Sequence, residues 1–174
     1  MYNKISKSDL FLAEEIQWNP TLIDHIQDQV DLSYDESDAK KIGALPEVIQ
    51  HLFYISAFNN EAGGSGIEGF VLQSPPHDIK GAYLALQEIG LTALANALGW
   101  AIALTIDADE EDDAYAEYRE FQSDLSWFEQ FSGKSKYTEL DALDSEEDVF
   151  DCIENELEEK VVEFVLKHMD EIAI

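Results

Sequence analysis

A glycine-rich segment is the first place where this sequence could do chemistry. Residues 64–69, Gly-Ser-Gly-Ile-Glu-Gly, fit the G-x-G-x-x-G pattern of dinucleotide-binding loops. Such loops follow a β-strand and open a helix whose N-terminus receives the pyrophosphate. Here a helical pattern precedes the glycines, and the strong negative charge of the chain repels phosphate. We therefore interpret the segment as a glycine-rich turn, and the sequence predicts no cofactor.

An acidic run could bind a cation. Six of the seven residues 107–113 are acidic, and the alternate positions resemble the first ligands of an EF-hand loop. The position that requires glycine in such a loop holds Asp112, and the position that requires a bidentate glutamate holds Tyr118. We therefore predict no specific calcium site.

The histidines and the carboxylate pairs give no specific sign of catalysis. None of the four histidines lies in an H-E-x-x-H sequence or three residues after a glutamate: His25, His51, His77 and His168. Neither a zinc protease nor a di-iron bundle is therefore indicated. Carboxylate pairs occur throughout the chain, so no single pair stands out as a general acid and base. We expect a protein that is not an enzyme and that holds no metal.

The negative charge is the outstanding feature of the composition. The 174 residues include 38 Asp and Glu against 10 Lys and Arg, a formal net charge of −28. A magnitude of about 2 to 8 is enough to keep a small domain soluble. Two like charges about 6 Å apart in water repel by roughly 0.7 kcal/mol, so the excess opposes compact folding. This charge argues against direct binding to nucleic acid or membranes and favours a basic protein as partner.

The sequence predicts one all-α domain over residues 1–174, located in the cytoplasm. The longest apolar stretch, residues 91–106, is shorter than the roughly 20 residues that a membrane span needs. Residues 1–12 lack the apolar core of a signal peptide. A single cysteine, Cys152, fits a reducing compartment.

Helix-breaking residues divide the chain into predicted helices. The first runs from Ser8 to about Trp18, and a second is capped by Asn19, with an apolar face of Leu22, Ile23, Ile26 and Val30. Residues 33–43 are predicted to form a loop. The later helices are a core helix that opens at Pro46 and is broken by the glycines, a helix capped by Asp78 and closed by Gly90, and a buried helix over residues 91–106.

The last helix is predicted to be long and acidic. Residues 145–148 resemble a capping box. Apolar residues then recur at helical spacing at Val149, Ile153, Leu157, Val161, Val165 and Met169. A continuous helix of about 27 residues would extend roughly 40 Å and display carboxylates on its other faces.

Most of the excess charge lies toward the C-terminus. From Asp107 onward, 24 acidic residues face five basic ones, a net charge of −19, whereas the first 106 residues have 14 against five, or −9. Acidic residues three or four positions apart on a helix stand about 5 to 6 Å from one another, near the spacing of DNA phosphates. We therefore predict a mimic of the charge of DNA. The residues predicted to face its partner are Asp107, Asp109, Glu110, Glu111, Asp112, Asp113, Glu117, Glu120, Glu146, Glu147, Asp148, Asp151, Glu154 and Glu158.

The segment around the glycines resembles a known family. Residues 61–74 are similar to the signature of the bacterial acidic DNA-mimic proteins of about nineteen kilodaltons, with matches at Glu61, Gly66, Phe70 and Ser74. Residues 85–90, Ala-Leu-Gln-Glu-Ile-Gly, resemble a helix end in the same family. The sequence departs from the signature at Gly64, Ser65, Gly69 and Gln73. The resemblance implies an all-α domain, a homodimer, and a role in occupying DNA-binding proteins such as helix-turn-helix repressors, which would alter transcription.

Three other interpretations remain open on the sequence alone. An immunity-type protein that neutralises a basic toxin or nuclease would use the same charge complementarity. An enzyme with carboxylates in a cleft around Glu61 and Glu68 would need a deep pocket there. The charge could also be only a solvated face.

Overall fold

The computed structural model describes residues 2–12, 15–16, 18–30, 32, 38–107, 127–132 and 152–174. Within these ranges the secondary structure is helical apart from one pair of two-residue strands, which confirms the all-α fold class. The α-helices are α1 (Lys7–Leu10), α2 (Ile23–Gln27), α3 (Asp38–Ile42), α4 (Glu47–Gln73), α5 (Pro76–Glu88), α6 (Thr92–Asp107), α7 (Leu157–Lys167) and α8 (Met169–Ile172). None of the described helices has the length and apolar character that a membrane span requires.

Helices α4, α5 and α6 form the centre of the core. Helix α4 opens after Pro46, whose fixed φ suits a helix start and whose carbonyl accepts hydrogen bonds from the amides of Ile49 and Gln50. Its side chains are buried around most of the helix, as predicted. Helix α5 crosses it closely because Gly81 lies against the ring of Tyr54, where a Cβ would overlap that ring.

The glycines do not end α4, contrary to the prediction. The helix continues through Gly63 and Gly64 to Gln73 and is interrupted only at Gly66, where φ is 76°. A left-handed φ is accessible to glycine without steric cost. Phe58 and Phe70 pack edge to face across the interruption, with ring centroids 5.2 Å apart. Both parts of α4 therefore belong to one core.

The boundaries of α5 and α6 test the predicted caps. Helix α6 confirms the predicted buried helix. Gly90, with φ at 88°, follows α5 as predicted. Asp78 is not the cap of α5, however, because Pro75 and Pro76 begin the helix two residues earlier. Two successive prolines have fixed φ angles and no amide hydrogens to satisfy, which suits a helix start.

The N-terminal region differs most from the predicted helices. The helix predicted from Ser8 to Trp18 is wrong: α1 ends at Leu10, and the strands Phe11–Leu12 and Glu15–Ile16 pair antiparallel. Ser6, not Ser8, caps α1, since its Oγ accepts a hydrogen bond from the amide of Asp9 at 3.2 Å. Short polar segments near a chain end have little local preference, so long-range packing decides their structure.

The next residues form a widened helical turn and two short helices. Trp18–Leu22 is a π-helical turn that leads into α2, and the predicted apolar face is buried: Leu22, Ile23, Ile26 and Val30. Helix α3 lies within the segment predicted as a loop, so that prediction is wrong for residues 38–42. Its apolar residue Ile42 is almost fully buried, which explains why a mostly polar segment is helical.

The long C-terminal helix is wrong as a continuous rod. Cys152–Glu156 is a second π-helical turn, α7 ends at Lys167, and His168 separates it from α8. The predicted apolar positions from Ile153 to Val165 are nevertheless buried. Periodicity therefore identified the buried face, whereas the breaks depend on contacts of the C-terminal residues with the start of the chain.

Those contacts form a parallel bridge between the two ends of the chain. Ile5 pairs with Ala173. The amide of Ile5 donates to the carbonyl of Ile172 at 3.1 Å, and the amide of Ile174 donates to the carbonyl of Ile5 at 3.0 Å. The bridge holds α8 against the N-terminal segment.

Candidate partner-binding surface

Most of the residues predicted to face a partner lie outside the described ranges. These are Asp109, Glu110, Glu111, Asp112, Asp113, Glu117, Glu120, Glu146, Glu147, Asp148 and Asp151. Asp107 is the last residue of α6, and Glu154 lies in the second π-helical turn. Glu158 lies in the first turn of α7 and is exposed. The described part of the surface is therefore built on α7.

Helix α7 separates apolar from acidic residues on opposite faces. Its buried side chains are Leu157, Val161, Phe164 and Val165. Glu156, Glu159 and Glu163 are exposed on the other side, and we call these three residues the α7 acidic row. They stand three and four positions apart, so neighbouring carboxylates lie about 5 to 6 Å from one another at their Cβ atoms. The buried face fixes the direction in which the row points.

Glu158 has a structural contact as well as exposed surface. The indole Nε1 of Trp18 donates a hydrogen bond to Oε2 of Glu158 at 2.7 Å. Trp18 is only 2% exposed, so the hydrogen bond satisfies a buried donor. It joins the first π-helical turn to the start of α7. The sequence gave no sign of this pair, because the two residues are 140 positions apart.

One lysine lies beside the α7 acidic row. Nζ of Lys160 donates to Oε2 of Glu163 at 2.7 Å, and both side chains are exposed. The hydrogen bond and charge of Glu163 raise the pKa of Lys160. An exposed pair of this kind is weak and is screened by salt, so Glu163 remains accessible to a partner.

The C-terminal end of α7 carries a histidine packed on an aromatic ring. The His168 ring lies 4.6 Å from the Phe164 ring, and its Nδ1 is 2.9 Å from Oε1 of Glu171. His51 of α4 approaches the other side of the cluster, 6.2 Å from the Phe164 ring. Burial lowers the pKa of His51, although the carboxylates of Glu47 and Glu88 oppose the shift. This arrangement joins α7 to the core.

Further exposed carboxylates were not among the predicted partner residues. Asp24 and Asp28 are exposed at α2 and its C-cap, and Asp170 and Glu171 are exposed on α8. Asp24 and Asp28 stand four residues apart, a spacing that indicates one helix face. That spacing was visible in the sequence. The prediction nevertheless placed the partner surface only from Asp107 onward.

A second group of ionisable side chains is buried between α3, α4 and α5. Asp38 is 4% exposed, and its Oδ1 accepts a hydrogen bond from Nζ of Lys41 at 2.9 Å. Nε2 of His77 lies 3.2 Å from Oδ1 of Asp78. Burial raises the pKa of Asp78, the charge of His77 opposes that shift, and the charge of Asp38 adds to it. These residues hold α3 against α5 through charge pairing.

The glycine-rich segment lacks the structure of a dinucleotide site. The residues before it belong to the first part of α4, where a nucleotide-binding loop would require a strand. Oγ of Ser65 donates to the carbonyl of Glu61 at 2.8 Å, as serines inside helices commonly do. Among the described residues, no group of three or more His, Cys, Asp and Glu side chains is arranged to hold a metal.

Comparison with known proteins gives one match, to a protein family. The family model described as DMP19-like protein matches residues 43–168, which is more than two thirds of the chain. No curated protein and no solved structure shows a significant match. The matched range contains residues 61–74 and 85–90, so the resemblance of these segments to the DNA-mimic family is confirmed. It also contains most of α7 and the acidic residues between α6 and α7.

Proposed function

Since the chain belongs to the DMP19-like protein family, we propose that it acts as a DNA mimic. It binds the basic DNA-binding surface of a transcription factor of the helix-turn-helix repressor type and blocks the binding of DNA there. The protein has no catalytic role in this proposal. The observation that carries it is the coincidence of family membership with a net charge of −28, most of it beyond Asp107.

The arrangement of α7 supports this proposal. A surface that competes with DNA must hold negative charges at fixed separations, since counterion release rewards contact between fixed phosphates and Lys or Arg. The α7 acidic row meets this need because Val161 and Val165 anchor the helix in the core. The Trp18 hydrogen bond to Glu158 fixes the first turn of the same helix. A partner then gains contacts without ordering these carboxylates itself.

Two further properties belong to the proposal. A transcription factor as partner implies a cytoplasmic location. The family resemblance also implies a homodimer, which light scattering after size-exclusion chromatography measures directly. A molecular mass near twice the 19.6 kDa of the chain is expected. A mass of one chain at micromolar concentration would remove the dimer from the proposal.

The test is capture of a partner from a bacterial lysate at low salt. The immobilised protein is washed with steps of increasing salt, and the eluted proteins are identified by mass spectrometry. We expect a basic DNA-binding protein that elutes at moderate salt, because salt screens the attraction. Duplex DNA containing the operator of that protein should release it, since mimic and DNA would occupy one surface.

Three charge-neutralised variants locate the surface. The first changes Asp109, Glu110, Glu111 and Asp112 to Asn or Gln, and the second changes the α7 acidic row to Gln. The matched control changes four exposed carboxylates of α4 and α5 to Gln: Glu47, Glu61, Glu68 and Glu88. The first two should release the partner at lower salt than the control does. Equal behaviour of all three variants would reduce the charge to a solubility feature, and capture of a nuclease would support immunity instead.

A further inference from the structure

An aromatic cluster fastens one short turn to the core helices. The turn is a 3₁₀ helix, Phe128–Phe131, preceded by Trp127. The ring of Tyr83 on α5 lies 5.5 Å from that of Trp127 and 5.2 Å from that of Phe131. Trp127 also lies 4.8 Å from Phe128 and 5.0 Å from Phe131. We call these four residues the aromatic anchor; edge-to-face contacts of this kind add to the energy of burial.

A glycine of α6 makes room for the anchor. A Cβ on Gly99 would stand 3.0 Å from Cε1 of Phe131 and 3.2 Å from Cε2 of Tyr83, which is tighter than ordinary contact. Glycine in the interior of a helix costs about 1 kcal/mol relative to alanine. Close approach of the two rings explains its presence here. Nζ of Lys80 lies 5.8 Å above the Trp127 ring and covers the outer side.

The position of the anchor in the sequence gives it a role beyond packing. Residues 107–126, on one side, contain nine acidic residues and one basic residue. Residues 133–151, on the other side, contain seven acidic and two basic residues. Both stretches hold residues predicted to face the partner. The anchor is the described point of attachment to the core between Asp107 and Cys152.

We propose that Tyr83, Gly99 and Phe131 are positioning residues for partner binding. A chain spans at most about 3.6 Å per residue, so an attached anchor keeps Asp124 within roughly 11 Å of Trp127. It also divides the connection from α6 to the second π-helical turn into two shorter loops, and shorter loops lose less entropy when their ends are fixed. The acidic stretches therefore meet a basic surface near α5 and α6.

This inference rests on the proposed function and makes a separate statement about geometry. Long-range attraction depends on net charge, which the anchor does not change. Tight binding to a rigid basic surface depends in addition on how much ordering remains to be done at contact. Loss of the anchor should therefore weaken binding to a folded partner and leave binding to a flexible cation unchanged.

The variants for the test differ in whether the rings can pack. Tyr83→Ala removes one ring of the anchor, and Gly99→Leu fills the space that Phe131 occupies. Tyr83→Phe is the matched control, because it keeps the ring and loses only the hydroxyl, which accepts a hydrogen bond from Gln87. Far-ultraviolet circular dichroism and thermal unfolding establish that each variant is folded. Tyr83 is half-buried, so its truncation is the milder change if Gly99→Leu does not fold.

The first measurement is a distance within the protein. Spin labels are attached to Thr92→Cys, at the exposed start of α6, and to Ala116→Cys, within the first acidic stretch. The natural thiol of Cys152 is buried, and burial raises its pKa to about 11, so it reacts slowly with the labelling reagent. We expect a broader distance distribution in Tyr83→Ala and Gly99→Leu than in Tyr83→Phe.

The second measurement is affinity for two probes. One is the basic DNA-binding protein captured by the unchanged protein, and the other is an octa-arginine peptide. Loss of the anchor should raise the dissociation constant for the folded protein about tenfold, mainly through faster dissociation. All variants should bind octa-arginine within about twofold of one another, because net charge is the same.

The outcomes separate this inference from the proposed function. Unchanged distances, or broadened distances with unchanged affinity for the folded protein, overturn the positioning role. Equal weakening toward both probes also overturns it, since that result reports a general loss of folded protein. If the unchanged protein captures no basic protein, the proposed function fails and the binding role fails with it, while the distances still show whether the anchor holds the stretch.

Discussion

Helices α6 and α7 show two different uses of a helix surface. Helix α6 has one ionisable residue, Asp107, at its last position, and its side chains are buried around most of its circumference. Its buried Thr105 donates a hydrogen bond to the carbonyl of Ala101 at 3.0 Å. Helix α7 has five ionisable residues among eleven and buries only one face. The same fold thus contains a helix that stabilises and a helix that displays.

The difference shows how so acidic a chain remains folded. Burial of α4, α5 and α6 supplies hydrophobic free energy, and the like charges repel one another mainly in water. The display helix needs only enough buried side chains to fix its orientation. If this division is correct, a substitution on α6 and a similar substitution on the exposed face of α7 should differ strongly in their effect on stability.

The largest expected effect is the loss of a core side chain of α6. Leu98→Ala should lower the free energy of unfolding by about 2 to 5 kcal/mol, because Leu98 is fully buried and a cavity would remain. Leu166→Ala on α7 is the matched control, since Leu166 is 54% exposed and its change should stay within about 0.5 kcal/mol. Urea unfolding of both variants measures the difference. Equal losses would contradict the division between the two helices.

The next effect concerns the hydrogen bond that fixes the start of α7. Glu158→Ala should lower the free energy of unfolding by about 1.5 to 3 kcal/mol, because it leaves the buried indole donor of Trp18 without its charged acceptor. Glu159→Ala, one position further along the same helix, removes a carboxylate of the acidic row instead. Denaturant unfolding of the pair compares them. If Glu159→Ala costs as much, the hydrogen bond does not explain the loss.

A buried carboxylate of the core should respond in the opposite direction. Burial raises the pKa of Asp78 above its ordinary value of 3.8, so its charged form destabilises the folded state. Asp78→Asn should therefore raise the free energy of unfolding at pH 7, by less than Glu158→Ala lowers it. The gain should shrink as the pH falls through the raised pKa, because the native Asp78 then binds a proton.

Unfolding experiments from pH 7 to pH 4 test this prediction. Asp24→Asn is the control, since Asp24 is exposed on α2. A gain for Asp78→Asn that does not depend on pH would assign the effect to something other than the charge of Asp78.

The smallest expected effect is the relief of repulsion on α7. Glu159 and Glu163 stand four positions apart, and like charges at this spacing destabilise a helix by about 0.2 to 0.5 kcal/mol. Glu159→Gln should raise the free energy of unfolding by that amount at low salt and have no effect at 0.5 M salt, to the order of magnitude set by screening. Glu163→Gln should gain less because it also removes the partner of Lys160. Thermal unfolding at two salt concentrations measures both variants.

Patterns of apolar residues predicted the parts of the fold that local sequence determines. The core helix after Pro46 and the buried helix α6 follow from continuous apolar surface, and the buried face of α7 follows from its period. The strands after Leu10 and the break at His168 could not be predicted, since both depend on partners distant in sequence. Gly66 alone among the clustered glycines interrupts α4, because a helix packed on both sides tolerates the others.

The candidate surface was predicted in kind and less well in detail. The charge asymmetry pointed to a basic partner, and residues 61–74 pointed to the family that the match confirms. The contact between Trp18 and Glu158 was missed because a side-chain pair 140 positions apart leaves no periodic signal. The exposed pair Asp24 and Asp28 was missed because attention to net charge favoured the denser C-terminal part. Eleven of the fourteen predicted partner residues lie outside the described ranges and stay predictions.

The bridge between Ile5 and Ala173 has a mechanical consequence. Because the two paired segments run parallel, tension applied to residues 2 and 174 would pull them in opposite directions along their length. The hydrogen bonds from the amides of Ile5, Lys7 and Ile174 would then be loaded together instead of opening one after another. In an optical trap, the protein held by its ends should therefore resist in shear, and its first rupture should release α8 from the N-terminal segment.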